Sequence, residues 1–189
     1  MHIILGSQSP RRKKILEEMG YEVDVMPSHI DENAIRHDDP SKLALMLAHA
    51  KADALIAKIT PPAILVTAYL IVEINDQIRE KPLDVDEARQ FLRECSQAEC
   101  ICIAGVVVTD CASKKRFEGT DRASVWFDPL PEALIGELIA SGDVYGWGGG
   151  FQAFDPRMKS YISRFVGEPE TIMGLPKTLT ARLLSDAIT

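Results

Sequence analysis

Residues 63–72, Ala-Ile-Leu-Val-Thr-Ala-Tyr-Leu-Ile-Val, form a nearly unbroken apolar run of strand type behind Pro61-Pro62. A strand that is apolar at both odd and even positions has no face to give to water, so it is predicted at the centre of a sheet and buried on both sides. The rest of the chain has to supply what covers it. At 189 residues there is enough chain for one well-buried domain, and 46% hydrophobic with 26% charged residues is the balance of a folded globular protein.

The other informative stretch is the beginning, Ile3-Ile4-Leu5-Gly6-Ser7-Gln8-Ser9-Pro10-Arg11-Arg12-Lys13-Lys14. A short apolar strand runs into a helix for which Ser9 is a suitable N-cap and Pro10 a suitable first residue, with Ile15, Leu16 and Met19 as its apolar stripe and Gly20 as its stop. The four cations sit where a helix N-terminus already carries partial positive charge, and a bound anion reverses the sign of that interaction. Free backbone N–H groups, the Ser7 and Ser9 hydroxyls and two guanidiniums make a phosphate group the natural guest. A solvated basic turn is the other reading of the same residues.

The formal net charge of -7 argues against a general grip on a nucleic-acid polymer, which needs a basic surface to displace counterions. No signal peptide and no membrane-length apolar run is present, and the expectation is a cytoplasmic protein without a membrane partner. Cys95, Cys100, Cys102 and Cys111 have no zinc-like spacing with one another or with the histidines. Cys100 and Cys102 would share one strand face, either as buried reduced thiols or, with a suitable neighbour, as a reactive one.

Between these landmarks, residues 21–26 alternate like a strand, and Asp31-Glu32 closes a polar loop as adjacent acids, able either to ligate a divalent cation or to be solvated. Residues 41–58 read as an amphipathic helix with Leu43, Leu47, Ala50, Ala54 and Leu55 inward; Lys51 lies against that stripe, either snorkelling to water or pointing into a cleft. Asn75-Asp76 reads as a hairpin turn, and Asp84 with Glu87 as a capping-box start to a helix carrying Phe91, Leu92 and Cys95. Residues 100–109 and 116–127 are predicted as paired strands. A helix over about 131–140 is stopped by Gly142, a glycine run follows at 148–150, and a last helix carries Leu179, Leu183 and Leu184.

Six of these motifs, Gly6-Ser7-x-Ser9-Pro10-Arg11-Arg12, Asp31-Glu32, Ala50-Lys51-Ala52, Glu80-Lys81-Pro82, Gly148-Gly149-Gly150 and Gly174-Leu175-Pro176, fall in one order and spacing over essentially the whole chain. In this the sequence resembles the Maf family of nucleoside triphosphate pyrophosphatases. The resemblance implies a single Maf-like domain over 1–189 with an α/β, Maf/ITPase-like fold: a long twisted mixed sheet flanked by helices, two lobes with a cleft between them, and a possible homodimer. It implies cleavage of a nucleoside triphosphate by water into monophosphate and pyrophosphate, with a divalent metal, Mg or Mn. Ser7, Ser9, Arg11 and Arg12 would bind the polyphosphate, Lys51 and Lys81 would offset further phosphate charge, and Glu32 would hold the metal or polarise water.

The sequence departs from the family's pattern where that family carries its acid. Tyr69 stands in the place of the general base, and a phenol titrating near 10 cannot replace a carboxylate as base or metal ligand. Phe154 stands where relatives have Gln or Glu, Trp147 where they have Lys or a small polar residue, and Ala104, beside Cys102, where many have a small polar one. Losing a positioned general base costs about two to four powers of ten in rate. The expectation is therefore a Maf-like scaffold whose native activity is lost or strongly reduced, with Tyr69, Glu32, Lys51 and Lys81 as its catalytic positions. The alternative is an artificially remodelled pocket, lined by Cys102, Ala104, Trp147, Phe151 and Phe154, for an apolar or aromatic small molecule in place of the nucleotide.

Overall fold

The computed structural model describes residues 2–188. In chain order the elements are β1 (His2–Leu5), α1 (Pro10–Glu18), β2 (Glu22–Val25), α2 (Pro40–Ile56), β3 (Ile64–Ile74), β4 (Gln77–Arg79), α3 (Val85–Cys95), β5 (Cys100–Asp110), β6 (Arg116–Phe127), α4 (Glu132–Ser141), β7 (Ile162–Val166), α5 (Pro169–Ile172) and α6 (Lys177–Ile188). The strands form one mixed sheet in the order β2-β1-β3-β5-β6-β7, with β4 on β3. β1 runs parallel to both β2 and β3, whereas β4 on β3 and β7 on β6 are antiparallel.

Most of the local predictions have visible causes. Ser9 caps α1 by accepting from the Arg12 backbone N–H, and Pro10 opens the helix. Asn75 and Asp76 both take positive φ, 54° and 57°, as a two-residue turn between β3 and β4 requires. Gly142 ends α4 in the left-handed region. The Asp84 carboxylate accepts from the Glu87 N–H, but the Glu87 carboxylate reaches the Leu83 N–H, one residue before the cap. The strand β7 was not foreseen. Its exposure runs half-buried, exposed, exposed, half-buried, exposed, so this outer strand lacks the alternation that marks a half-buried one.

The described residues divide into two compact units. The first holds the chain up to Leu70, Ile103–Asp121 and the chain from Glu168 onward. On one side of its strands Leu5, Ile64, Val66, Ala68, Val106 and Val108 pack with Ile15 and Leu16 of α1 and Leu179, Leu183 and Leu184 of α6. On the other side, Leu65 and Ile4 pack with Ala52 and Leu55 of α2. Burial of β3 on both faces thus comes from alternate residues meeting different helices. The helix α2 lies so close to β5 that a Cβ on Gly105 would sit 2.6 Å from the Ala44 carbonyl carbon, so glycine alone fits there without displacing backbone.

The second unit comprises Ile71–Cys102 and Arg122–Gly167. Helix α3 buries Ala88, Phe91, Leu92 and Cys95. Arg89 and Arg93 share the carboxylate of Glu132 at the start of α4, at 2.9 and 2.7 Å. Arg79 of β4 grips both oxygens of Glu94, at 2.8 and 2.9 Å. Gly149 takes φ 66°, donates its N–H to the Glu80 carbonyl and leaves no room for a Cβ against Val72.

Candidate active site

The turn between β1 and α1 is pinned by backbone before any side chain acts. Gly6 donates its N–H to the Val66 carbonyl at 2.8 Å, and a Cβ on it would lie 2.6 Å from the Thr67 Cγ2. Ser7, buried next to it, accepts from the Ser9 N–H and from Arg12 Nη1, both at 3.2 Å. The guanidinium of Arg12 also donates from Nε to the Gly174 carbonyl at 2.8 Å and from Nη1 to the Ala68 carbonyl at 2.9 Å. Gly174, at φ 91°, would place a Cβ 3.0 Å from that guanidinium. The Gly174-Leu175-Pro176 motif therefore exists partly to let Arg12 in.

Arg12 thus has a structural part. As a sequence it reads as one of two phosphate ligands; in the structure it ties together the serine turn, the strand residue Ala68 and the turn before α6. Burial lowers the guanidinium from its ordinary value to about 10, with the charges of Glu32 and Tyr69 pulling it back up, so it remains a cation at neutral pH. Arg11 is half-buried in the first turn of α1. Lys13 and Lys14 are paired at 3.5 and 3.8 Å with Glu17 and Glu18 one turn on.

One residue beyond Ala68, Tyr69 enters a three-membered cluster. Its hydroxyl donates to Glu32 Oε2 at 3.2 Å, Lys51 Nζ lies 2.5 Å from Glu32 Oε1, and the same ammonium stands 4.9 Å from the centre of the Tyr69 ring. Lys51 is only 8% exposed, so it does not snorkel; the carboxylate and the aromatic face take the place of water around it. Glu32 is delivered by a single 3-10 turn, Glu32–Ala34, in which Asp31 is the N-cap and accepts from the Asn33 N–H at 3.0 Å. Of the two adjacent acids, Asp31 builds the turn and Glu32 enters the cluster.

A divalent cation demands several oxygen ligands, and at a nucleotide site usually takes one or two carboxylates plus phosphates. Glu32 offers one carboxylate, already bonded through both oxygens, with an ammonium at 2.5 Å and a phenol as its neighbours. Among the described residues there is no group of three or more His, Cys, Asp or Glu placed to hold a metal. These side chains do not fit a resident divalent ion.

The remaining predicted positions fall differently. Lys81 is exposed in the second unit, following the Glu80 carbonyl that holds Gly149. Phe151 is buried and meets Phe127 edge-on at 5.6 Å, while Phe154, half-buried, lies 6.2 Å from Phe165. Trp147 is half-buried; Cys102 and Ala104 are core residues of β5. All four cysteines are buried and unpaired. Burial pushes the Cys102 thiol far up, and a hydrogen bond with Cys95 does the same for Cys100, so both stay protonated and belong to the buried, inert class.

A mixed α/β sheet thus carries a strand-to-helix turn rich in serine and arginine and, one residue beyond the strand carbonyl that holds Arg12, a carboxylate–ammonium–phenol cluster. The Maf-like protein family model matches residues 2–187. A 7-methyl-GTP pyrophosphatase of Dictyostelium discoideum is 37% identical over 97% of this chain and 95% of its own length. The dTTP/UTP pyrophosphatases of Pelotomaculum thermopropionicum and Pyrococcus furiosus are 31% and 32% identical, each over 96% of this chain and, respectively, 94% and 93% of their own. The chain belongs to the Maf family. Among its described residues no helix is long and apolar enough to cross a membrane.

Proposed function

We propose that this chain binds a nucleoside triphosphate at the turn over residues 6–12 and hydrolyses it to monophosphate and pyrophosphate far more slowly than the family's acid-bearing pattern allows. The observation that carries this is the bonding of Glu32, whose two oxygens are taken by the Lys51 ammonium and the Tyr69 hydroxyl. The carboxylate oxygen that could take a proton from water already accepts from the Tyr69 hydroxyl, so water has no free base there, and the phenol beside it is no substitute. Ser7, Ser9 and Arg11 supply the polar rim for phosphate, Arg12 holds that rim in place, and Lys51 adds positive charge. The named activities of the relatives make 7-methyl-GTP the first substrate to try and the pyrimidine triphosphates dTTP and UTP the next.

The test is pyrophosphate release from these three nucleotides by the natural chain and by Tyr69→Asp. Restoring an acid at this position is expected to raise the rate by about two powers of ten or more. No gain in the variant, or no binding of any of the three by calorimetry, would sink the proposal.

A further inference from the structure

Tyr69, Glu32 and Lys51 are arranged as a nucleophile, its base and the group that orients the base. An activated nucleophile is recognised when its hydrogen bonds to a base within about 2.6–3.2 Å and the base is fixed by a third group. The Tyr69 hydroxyl points its proton at Glu32 Oε2 at 3.2 Å, and Glu32 is fixed through Oε1 by Lys51 at 2.5 Å. Of the neighbouring hydroxyls, Thr67 Oγ1 donates to the Ala48 carbonyl at 2.8 Å, Ser7 Oγ accepts two bonds and Ser9 Oγ accepts the bond that caps α1. Tyr69 also follows directly on Ala68, whose carbonyl holds Arg12 and with it the serine turn. The phenol is thus next in sequence to the anchor of the proposed phosphate seat.

Resting on the nucleotide-binding reading above, we propose that Tyr69 is a self-modification site: its Oη takes the nucleoside monophosphate from a bound nucleoside triphosphate, leaving the chain nucleotidylated. In this step the Oη–P bond to the α phosphorus forms as the phenolic proton passes to Glu32 Oε2. The bond from the α phosphorus to the α–β bridging oxygen breaks, its electron pair leaving with pyrophosphate. The products are a phosphodiester on Tyr69 and one pyrophosphate; the proton on Glu32 then passes to solvent. The Lys51 ammonium, 4.9 Å from the ring centre, offsets the negative charge that builds on the phenol as its proton leaves. No oxidant, reductant or second substrate is needed.

The experiment incubates the full chain in magnesium-containing buffer with 7-methyl-GTP and, separately, with UTP labelled on the α or the γ phosphate. Intact mass, peptide mapping and calorimetric binding are read on each sample. The expected result is a mass increase of one nucleoside monophosphate less water, mapped to Tyr69, retaining the α label and not the γ label. Tyr69→Phe should abolish the adduct while still binding nucleotide, and Glu32→Gln should slow its formation by about 10²–10⁴-fold. Binding without an adduct, an adduct on another residue, or retention of the γ label would overturn this inference and leave the binding reading standing. Absence of binding together with absence of adduct would overturn both.

Discussion

Arg12 makes three hydrogen bonds to groups that lie far apart in sequence: the Ser7 hydroxyl and the carbonyls of Ala68 and Gly174. Its planar fork satisfies these acceptors at once, which a single ammonium cannot do. Arg12→Lys is therefore expected to lower stability by about 1–3 kcal/mol through acceptors left without a donor, read as a shift of the urea midpoint without a change in slope. An unchanged midpoint would show that Arg12 is not the tie described here. At this scale the sequence was half legible. Ser9 as a cap follows from local chemistry, since every participant lies within a few residues. That Arg12 turns inward to Gly174, and that Tyr69 meets Glu32 and Lys51, depends on segments brought together by the sheet, and no local pattern encodes such a meeting. The φ-positive glycine in Gly174-Leu175-Pro176 was the available signal, because glycine there implies a close neighbour.

Helix α2 carries Lys51 and is held at its start by Asp39, whose carboxylate accepts from the N–H groups of Ser41 and Lys42 at 2.8 and 3.1 Å. The Lys42 backbone bond chiefly, with Ser41 and nearby positive charge assisting, holds the Asp39 carboxyl below its ordinary value. A carboxylate depressed in the fold contributes stability that is present above its unfolded pKa and fades as pH falls through the folded one. Asp39→Ala should lower Tm by a few degrees near neutral pH, with the difference from the natural chain shrinking once pH drops below about 4. A gap that persists unchanged at low pH would assign the effect to something other than the charged cap. Elements of this kind were the most legible part of the chain. The inward residues Leu43, Leu47 and Leu55 were visible from periodicity, although Ala50 and Ala54 are only half-buried and Ala44, Ala48 and Ala52 do the closer packing. Small residues hide from a hydrophobic stripe because their role is to let backbone approach, as Gly105 does from the opposite side.

For the molecule as a whole, α/β layering was legible from β3 and the motif order and two lobes were implied by the family resemblance, while which segments make up each unit was not, since each draws on segments far apart in sequence. The first unit depends on its last helix: Leu179, Leu183 and Leu184 of α6 complete the layer against Leu5, Leu16 and Val106. Burying a leucine contributes roughly 1.5–3 kcal/mol, so three of them are a large share of a net stability of about 5–15 kcal/mol. A chain ending at Pro176 should accordingly bind ANS and elute as aggregate in gel filtration; a compact monomer with the natural Tm would contradict the role given to α6.

The bond from Arg12 to Gly174 also sets an order in time. A ribosome making this protein releases the serine turn and its cations first, and the carbonyl that receives Arg12 follows 162 residues later, just ahead of α6. Until then the nascent chain carries a serine turn without this tie, so the turn takes its final geometry only after the segment bearing Gly174 has been made.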